Sequence, residues 1–341
     1  MRLNEIHLRD PFILPVKENK KYYLYGTNGP NPWTNPVGFD TYVSEDLVEW
    51  SGPLPVFRPP HDFWANCCFW APEVFSHRSR YFMCASFTDT DWSHRRGTQI
   101  LVANSPLGPF LPHSNGPVTP EGDVCIDGTL FWDDEDQPWM VYCHERMQVI
   151  DGLMCAIPLS DDLTKAIGPK HDLFRASGAE WVHPIEQNLL SDVLSNSEET
   201  NPDLLQGSSA QVNHPTQQDQ YTTDGPFLFS SPDGQLLMLW SSFHKGIYSL
   251  GLARSRSGNI LGPWTHDPNP IFFQDGGHGM VFRDWDDNII LVLHSPGMVH
   301  GEERAVLFSL NIYNDTVTLE PWANNPAATL NHASPTRRLS S

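Results

Sequence analysis

The chain of 341 residues opens in the same way five times. A single residue, most often polar, precedes a short apolar stretch at Asp10-Pro11-Phe12-Ile13, Ala71-Pro72-Glu73-Val74, Asp127-Gly128-Thr129-Leu130, Asp224-Gly225-Pro226-Phe227 and His278-Gly279-Met280-Val281. A second apolar run follows each opening: Tyr22-Tyr23-Leu24-Tyr25, Tyr81-Phe82-Met83, Trp139-Met140-Val141-Tyr142, Leu236 to Trp240 and Ile289 to Leu293. Two short apolar runs separated by turn residues predict two neighbouring strands of one sheet. The openings lie 61, 56, 97 and 54 residues apart, so the period is broken once, by an insertion of about forty residues over 177–221. A third run recurs and ends in a turn, as in Ala103 to Phe110 and Ala253 to Trp264. Five modules of three to four strands, with no long helical periodicity between them, predict an all-β chain. The expected architecture is a single five-bladed β-propeller domain over residues 1–322, with blades starting near 10, 71, 127, 224 and 278. The one helix candidate, around Pro184 to Ser195, falls in the insertion, and residues 323–341 are expected to form a poorly ordered tail.

That architecture says where chemistry would sit. The first strand of each blade lines the axis, and its start opens on one face. Five openings far apart in sequence then ring one shallow pit and bring Asp10, Asp127, Asp224 and His278 together. An Asp before Pro or Gly, taken singly, is a turn residue whose carboxylate caps nearby N–H groups. Recurrence at one repeat position points to function instead, because carboxylates grouped in a partly dry concavity raise one another's pKa.

Composition narrows the partners. A net charge of −20, from 41 acidic and 21 basic residues, argues against nucleic acid and anionic membranes and fits a neutral substrate. No apolar run nears the ~20 residues that span a bilayer. The start, Met1 to His7, lacks a charged region followed by an apolar core, so a cytoplasmic location is expected, or an extracellular one if a leader has been removed. Six Cys without a CxxC pair predict reduced core residues rather than a disulfide frame or a thiolate metal site. Oligomeric state does not follow from these residues.

Arg9-Asp10-Pro11-Phe12, Trp70-Ala71-Pro72-Glu73-Val74, Ile126-Asp127-Gly128-Thr129-Leu130-Phe131, Asp224-Gly225-Pro226-Phe227 and Gly277-His278-Gly279, in this order and at this spacing, resemble glycoside hydrolase family 43. That family comprises five-bladed propellers that cut arabinose-, xylose- and galactose-containing chains, and the resemblance covers residues 8 to about 322. It implies that Asp10 is the general base and that Asp127 tunes the acid and orients substrate. The family's general acid is a Glu before Gly-Pro at the fourth opening, where this chain has Asp224. The resemblance also implies that His278 lies near a central calcium or sodium ion, with no cofactor needed for the chemistry.

The chemistry stands without the family. Inverting glycoside hydrolysis needs one carboxylate to activate water and one protonated carboxyl across the glycosidic oxygen, roughly 6.5–9.5 Å apart, and openings on separate blades supply that separation. Asp224 is one methylene shorter than Glu, so the acid is either Asp224 or Glu145, which ends the second strand of the third module. Glu73 lines the pit or pairs with an Arg. Trp33, Trp70 and Trp181 are candidates to stack on sugar, against the commoner role of packing between blades. The polar segment within 177–221 is placed to wall off subsites, which favours removal of terminal sugars.

The expected activity is therefore exo-acting, inverting release of terminal α-L-arabinofuranose or β-D-xylose, or galactofuranose, from an oligosaccharide or polysaccharide. Two rivals remain: a carbohydrate-binding propeller without turnover, and a retaining fructoside-type propeller hydrolase, which needs its two carboxyls about 5 Å apart.

Overall fold

The computed structural model describes residues 1–29, 31–89, 96–185, 219–313 and 316–322. Twenty strands form five four-stranded antiparallel sheets, each built from consecutive strands. The first sheet is β1–β4 (Arg9–Val16, Lys21–Thr27, Phe39–Ser44, Trp50–Phe57) and the second β5–β8 (Cys67–His77, Arg80–Thr88, Arg96–Ala103, Leu111–Pro112). The third is β9–β12 (Cys125–Trp132, Pro138–His144, Leu153–Pro158, His171–Arg175) and the fourth β13–β16 (Asp224–Ser230, Leu236–His244, Ile247–Ser255, Trp264–His266). The fifth is β17–β20 (Gly277–Arg283, Ile289–Ser295, Arg304–Tyr313, Thr316–Pro321). The chain is all-β, a five-bladed propeller with β1, β5, β9, β13 and β17 innermost. Among the described residues the only α-helix is the single turn α1 (Arg146–Val149), and no helix is long and apolar enough to cross a membrane. Most of the 177–221 insertion and the 323–341 tail lie outside the described residues.

The second strand of each blade is apolar without a break because both of its faces are buried. In β10, Val141 and Cys143 pack toward the fourth blade, while Met140 and Tyr142 pack toward the second. In β14, Met238 and Trp240 face the third blade, and Leu237 and Leu239 face the fifth. The core thus lies between blades, where each fully buried Leu or Met contributes about 1.5–3 kcal/mol. All six cysteines are free and buried, and Cys84, Cys125, Cys143 and Cys155 lie in these layers.

The ring closes at the chain's start. Leu8 N–H donates to Glu303 O at 3.1 Å, and His7 bridges Arg304 on the fifth blade.

Candidate active site

Each innermost strand carries an irregularity at its mouth, where the register to the second strand slips between Arg9 and Phe12, Trp70 and Glu73, Ile126 and Thr129, Asp224 and Phe227, and Gly277 and Met280. At each slip one residue has a left-handed backbone: Asp10 (φ 51°), Ala71 (48°), Asp127 (55°), Gly225 (48°) and His278 (48°). A bulge of this kind re-aims side chains toward the axis. It also corrects the alignment drawn from sequence. The structural equivalent of Asp10 and Asp127 is Gly225, and Asp224 stands one place earlier, paired with Ser241 as Arg9 is paired with Thr27. Only glycine suits position 225, since a Cβ there would lie 2.6 Å from His278 Cγ.

The bulges are tied blade to blade. The N–H of Ala71 donates to Thr27 Oγ1 (2.8 Å), that of Asp127 to Ser86 Oγ (2.7 Å), that of His278 to Ser241 Oγ (2.8 Å) and that of Asp10 to His294 Nδ1 (3.1 Å). Each acceptor stands opposite the bulge of its own blade. In the third blade that place is Cys143, and Asp127 Oδ2 accepts the Gly225 N–H instead, at 3.2 Å. Sequence reasoning missed these acceptors. The available signal was a polar residue, Thr27, Ser86, Ser241 or His294, closing four of the five second runs.

Three carboxylates from three blades converge on His278. Its Nδ1 lies 3.2 Å from Asp10 Oδ1, 3.5 Å from Asp224 Oδ1 and 3.9 Å from Asp127 Oδ2. Burial alone would lower the basicity of this imidazole, but Asp10, Asp127 and Asp224 together push its pKa up to about 10. Asp10 Oδ2 accepts the Thr27 hydroxyl at 2.6 Å, and Tyr248 OH donates to Asp224 Oδ2 at 2.8 Å. Asp127 is held well above the usual carboxylate range, first by burial and then by the charge of Asp224 beside it. Burial also works to raise Asp224, but hydrogen bonds from Asp127, His278 and Tyr248 outweigh it and lower its pKa. Two acids so close cannot both ionise freely, and the pair shares one proton. Asp224 is the open member, its side chain 22% exposed against 5% for Asp127 and 10% for Asp10.

Asp127, Asp224 and His278 bring one ligand atom each within 4.8 Å of one another. These two carboxylates and the imidazole are the donors that a central cation would meet; a hard cation prefers the carboxylate oxygens, and the histidine would ligate only by giving up its ring proton.

Below the bulges, the first position back in register on each inner strand faces the axis: Phe12, Glu73, Thr129, Phe227 and Met280. Three of the five are apolar, and Phe12 and Phe227 meet edge to face at 6.2 Å. Glu73 is therefore a carboxyl in the floor, with Oε2 buried and unpartnered among the described residues. Burial first, and Asp10 second, push Glu73 up to about 8 against the lowering effects of Thr129 and His278.

The remaining candidates separate. Glu145 Oε2 is bound to Arg96 Nη1 at 2.5 Å, and both are buried. Trp70 lies between the Arg96 guanidinium, 5.0 Å from its ring, and the Trp33 ring, also at 5.0 Å. Trp33 is 36% exposed and has Arg9, the neighbour of Asp10, 5.8 Å from its ring centre. Trp181, expected to meet sugar, does not reach the pit: it is 1% exposed and packs on Trp240 at 5.0 Å. An indole in a Pro- and His-bearing loop reads as solvent-facing, but its apolar area is worth more between the third and fourth blades.

Comparison with known proteins agrees with this geometry. Residues 4–309 match the family described as glycosyl hydrolases family 43. The fold matches that of an endo-arabinase from Bacteroides thetaiotaomicron VPI-5482 at 36% identity, with a TM-score of 0.77, over 92% of this chain and 98% of that one. An endo-1,4-beta-xylanase from the same organism, 20% identical with a TM-score of 0.69, covers 93% of this chain and 95% of its own and shares the fold. A levanbiose-producing levanase from Geobacillus stearothermophilus is 27% identical over 143 residues, or 40% of this chain, and the match spans little more than a third of that enzyme, 36%. With the family spanning nearly the whole chain, and with carboxylates from three blades gathered at one mouth, this protein belongs to glycosyl hydrolase family 43 and is a glycoside hydrolase that needs no cofactor for catalysis.

Proposed function

We propose that the chain releases terminal α-L-arabinofuranosyl residues from arabinose-containing glycans, with inversion at the anomeric carbon. The observation that carries this reading is the convergence of Asp10, Asp127 and Asp224 on His278, with Asp224 alone substantially open. That convergence carries the hydrolytic chemistry; the terminal mode of attack is the part of the reading that the product analysis tests. The 36% identity to an endo-arabinase supports arabinose over xylose or galactofuranose as the sugar.

In this reading Asp10 takes a proton from the water that attacks C1, while Asp224 gives a proton to the departing glycosidic oxygen as the C1–O bond breaks. Asp127, too buried to reach substrate first, holds the shared proton next to Asp224 and returns it there. Tyr248 keeps the Asp224 carboxyl turned toward the mouth. His278, as an imidazolium, offsets the charges that would otherwise drive the three acids apart. Asp10 and Asp224 both rest on His278 Nδ1, at 3.2 and 3.5 Å, so their nearest oxygens lie no further apart than those two lengths combined. That limit is an upper bound, wide enough for the ~5 Å of a retaining pair and just reaching the ~6.5 Å of an inverting one, so the stereochemistry is decided by the first-formed anomer. Glu145 is excluded from the acid role in this reading by its ion pair with Arg96.

The test is digestion of α-1,5-linked arabino-oligosaccharides, followed by chromatography and by NMR of the first-formed anomer. Arabinose as the sole early product, in the inverted β configuration, is expected, with Asp10→Asn and Asp224→Asn each losing at least ~100-fold in rate. Early release of di- and trisaccharides makes the enzyme endo-acting. Activity on levan or sucrose with retention overturns the reading.

A further inference from the structure

Four bulges are tied to the preceding blade by a side chain at one register place, and in three of them that side chain is a hydroxyl: Thr27, Ser86 and Ser241. At the seam where the fifth blade meets the first it is an imidazole. His294 stands opposite Gly277, the place that Thr27 holds opposite Arg9, and its Nδ1 lies 3.1 Å from the Asp10 nitrogen. A backbone N–H can only donate, so Nδ1 is the unprotonated nitrogen and the ring proton sits on Nε2. The ring is fully buried, and Nε2 has no hydrogen-bond partner among the described residues. Burial first, then the positive charges of Arg9 and His278, hold its pKa well below the usual imidazole range, so the ring stays neutral. An orphaned N–H in a dry place costs about 1–3 kcal/mol. The hydroxyls of the other three bulges carry no such cost, so the tie alone does not explain a histidine here.

The ring makes a second contact that a hydroxyl cannot. It stacks on Tyr248, with centroids 5.6 Å apart and 18° between the planes. Tyr248 in turn donates to Asp224 Oδ2 at 2.8 Å. Elsewhere the phenol ring is closed in by glycine backbone: a Cβ on Gly277 would fall 2.6 Å from Tyr248 Cε1, and one on Gly297 2.6 Å from Cδ1. With the imidazole in place the phenol has no room to swing. One histidine of the fifth blade thus reaches Asp10 of the first blade directly and Asp224 of the fourth through a single intervening ring.

We propose that His294 is the positioning residue that fixes the two reacting carboxylates relative to each other, holding Asp10 by its N–H and Asp224 through the stacked Tyr248. It exchanges no proton itself: Asp10 takes the proton of the attacking water, and Asp224 gives one to the departing oxygen. The proposal rests on reading Asp10 as the base and Asp224 as the acid.

Two substitutions divide the ring between its roles. Asn carries Oδ1 where the imidazole carries Nδ1, so His294→Asn keeps an acceptor and loses the stack, whereas His294→Phe keeps the stack and loses the acceptor. Rates of the full chain on 4-nitrophenyl and phenyl α-L-arabinofuranosides separate the two carboxylates, because both substrates need the base and only the phenyl one needs much help from the acid. His294→Phe is expected to lose on the order of 100-fold in kcat on both substrates, the cost of displacing the base by about 1 Å, with KM nearly unchanged. His294→Asn is expected to stay within ~3-fold of wild type on the 4-nitrophenyl substrate and to lose ~30-fold on the phenyl one, a steepening that Tyr248→Phe should share. Equal losses for His294→Asn and His294→Phe on the 4-nitrophenyl substrate, a change in KM alone, or an unchanged ratio between substrates in His294→Asn would each overturn the role of His294. Asp10→Asn and Asp224→Asn are measured alongside. If Asp10→Asn keeps its rate, or Asp224→Asn shows no steepening, the base and acid assignments fall and the proposal with them; if both behave as base and acid while the His294 variants do not, the proposal alone falls. Thermal melts give the folded fraction by which each kcat is scaled, and the ratio between substrates within one variant does not depend on it.

Discussion

Glu73 gives the fold a pH dependence that can be worked from its place in the floor. Its pKa rises from 4.5 to about 8, because Phe12, Phe227 and Met280 share its ring and no donor satisfies its Oε2. Between those two pH values the folded chain holds a proton that the unfolded chain has released, so stability falls as pH rises through this window and is level below it. At 1.36 kcal/mol per pKa unit the full span amounts to roughly 5 kcal/mol, an upper figure because Asp10 and His278 respond to the same charge. Glu73→Gln keeps the shape and cannot ionise. At pH 5 the variant should be slightly less stable than wild type, its amide lacking a partner at a cost of ~1–3 kcal/mol. At pH 8.5 the order should reverse. For a chain of this size, 5 kcal/mol corresponds to a Tm change of about 7 °C. Thermal unfolding of both proteins from pH 5 to 8.5 is the assay, and the difference in Tm, Gln minus Glu, should climb by several degrees across the window. Two parallel curves would show that Glu73 is ionised or solvated in the folded protein, and would refute the apolar-floor argument.

Two further perturbations separate binding from packing. Trp33→Ala should raise KM about tenfold and leave Tm nearly unchanged, whereas Trp181→Ala should cost ~3–5 kcal/mol of stability with KM preserved in the folded fraction. Steady-state kinetics beside thermal melts distinguish the two, and a KM effect at Trp181 with normal stability would return that residue to the pit. Thr27→Val removes both the acceptor of the Ala71 N–H and the donor to Asp10, so it should cost about 2 kcal/mol and lower kcat on every substrate. A silent Thr27→Val, in melts and rates alike, would mean that the interblade bonds at the bulges do not hold the acids in place.

Much of this molecule is legible in its residues alone. A repeat of openings each followed by a second apolar run can bury itself only as a stack of sheets, because an unbroken run such as Leu236 to Trp240 in β14 needs an apolar layer on both faces. That settles the fold and the meeting of Asp10, Asp127 and His278, since the starts of inner strands share one end of one axis. What tertiary structure decided is finer and depends on contacts between blades. The one-residue offset of Asp224 was not legible, because Asp-Gly-Pro and Asp-Pro-Phe look alike until the left-handed residue at each bulge is located, at Gly225 in one case and Asp10 in the other. The burial of Trp181 and the pairing of Glu145 with Arg96 were hidden for a related reason: each depends on a distant partner, Trp240 in the next blade for the first and Arg96, 49 positions back, for the second. Tyr248 carries no motif at all, and only its hydrogen bond to Asp224 gives it a role. Sequence periodicity determines which strands line the axis, since burial on two faces leaves one arrangement open to them. Which side chains turn into the mouth, and which protons they keep, is decided by bulge geometry and by charges brought together from separate blades, and neither is a property of any one segment.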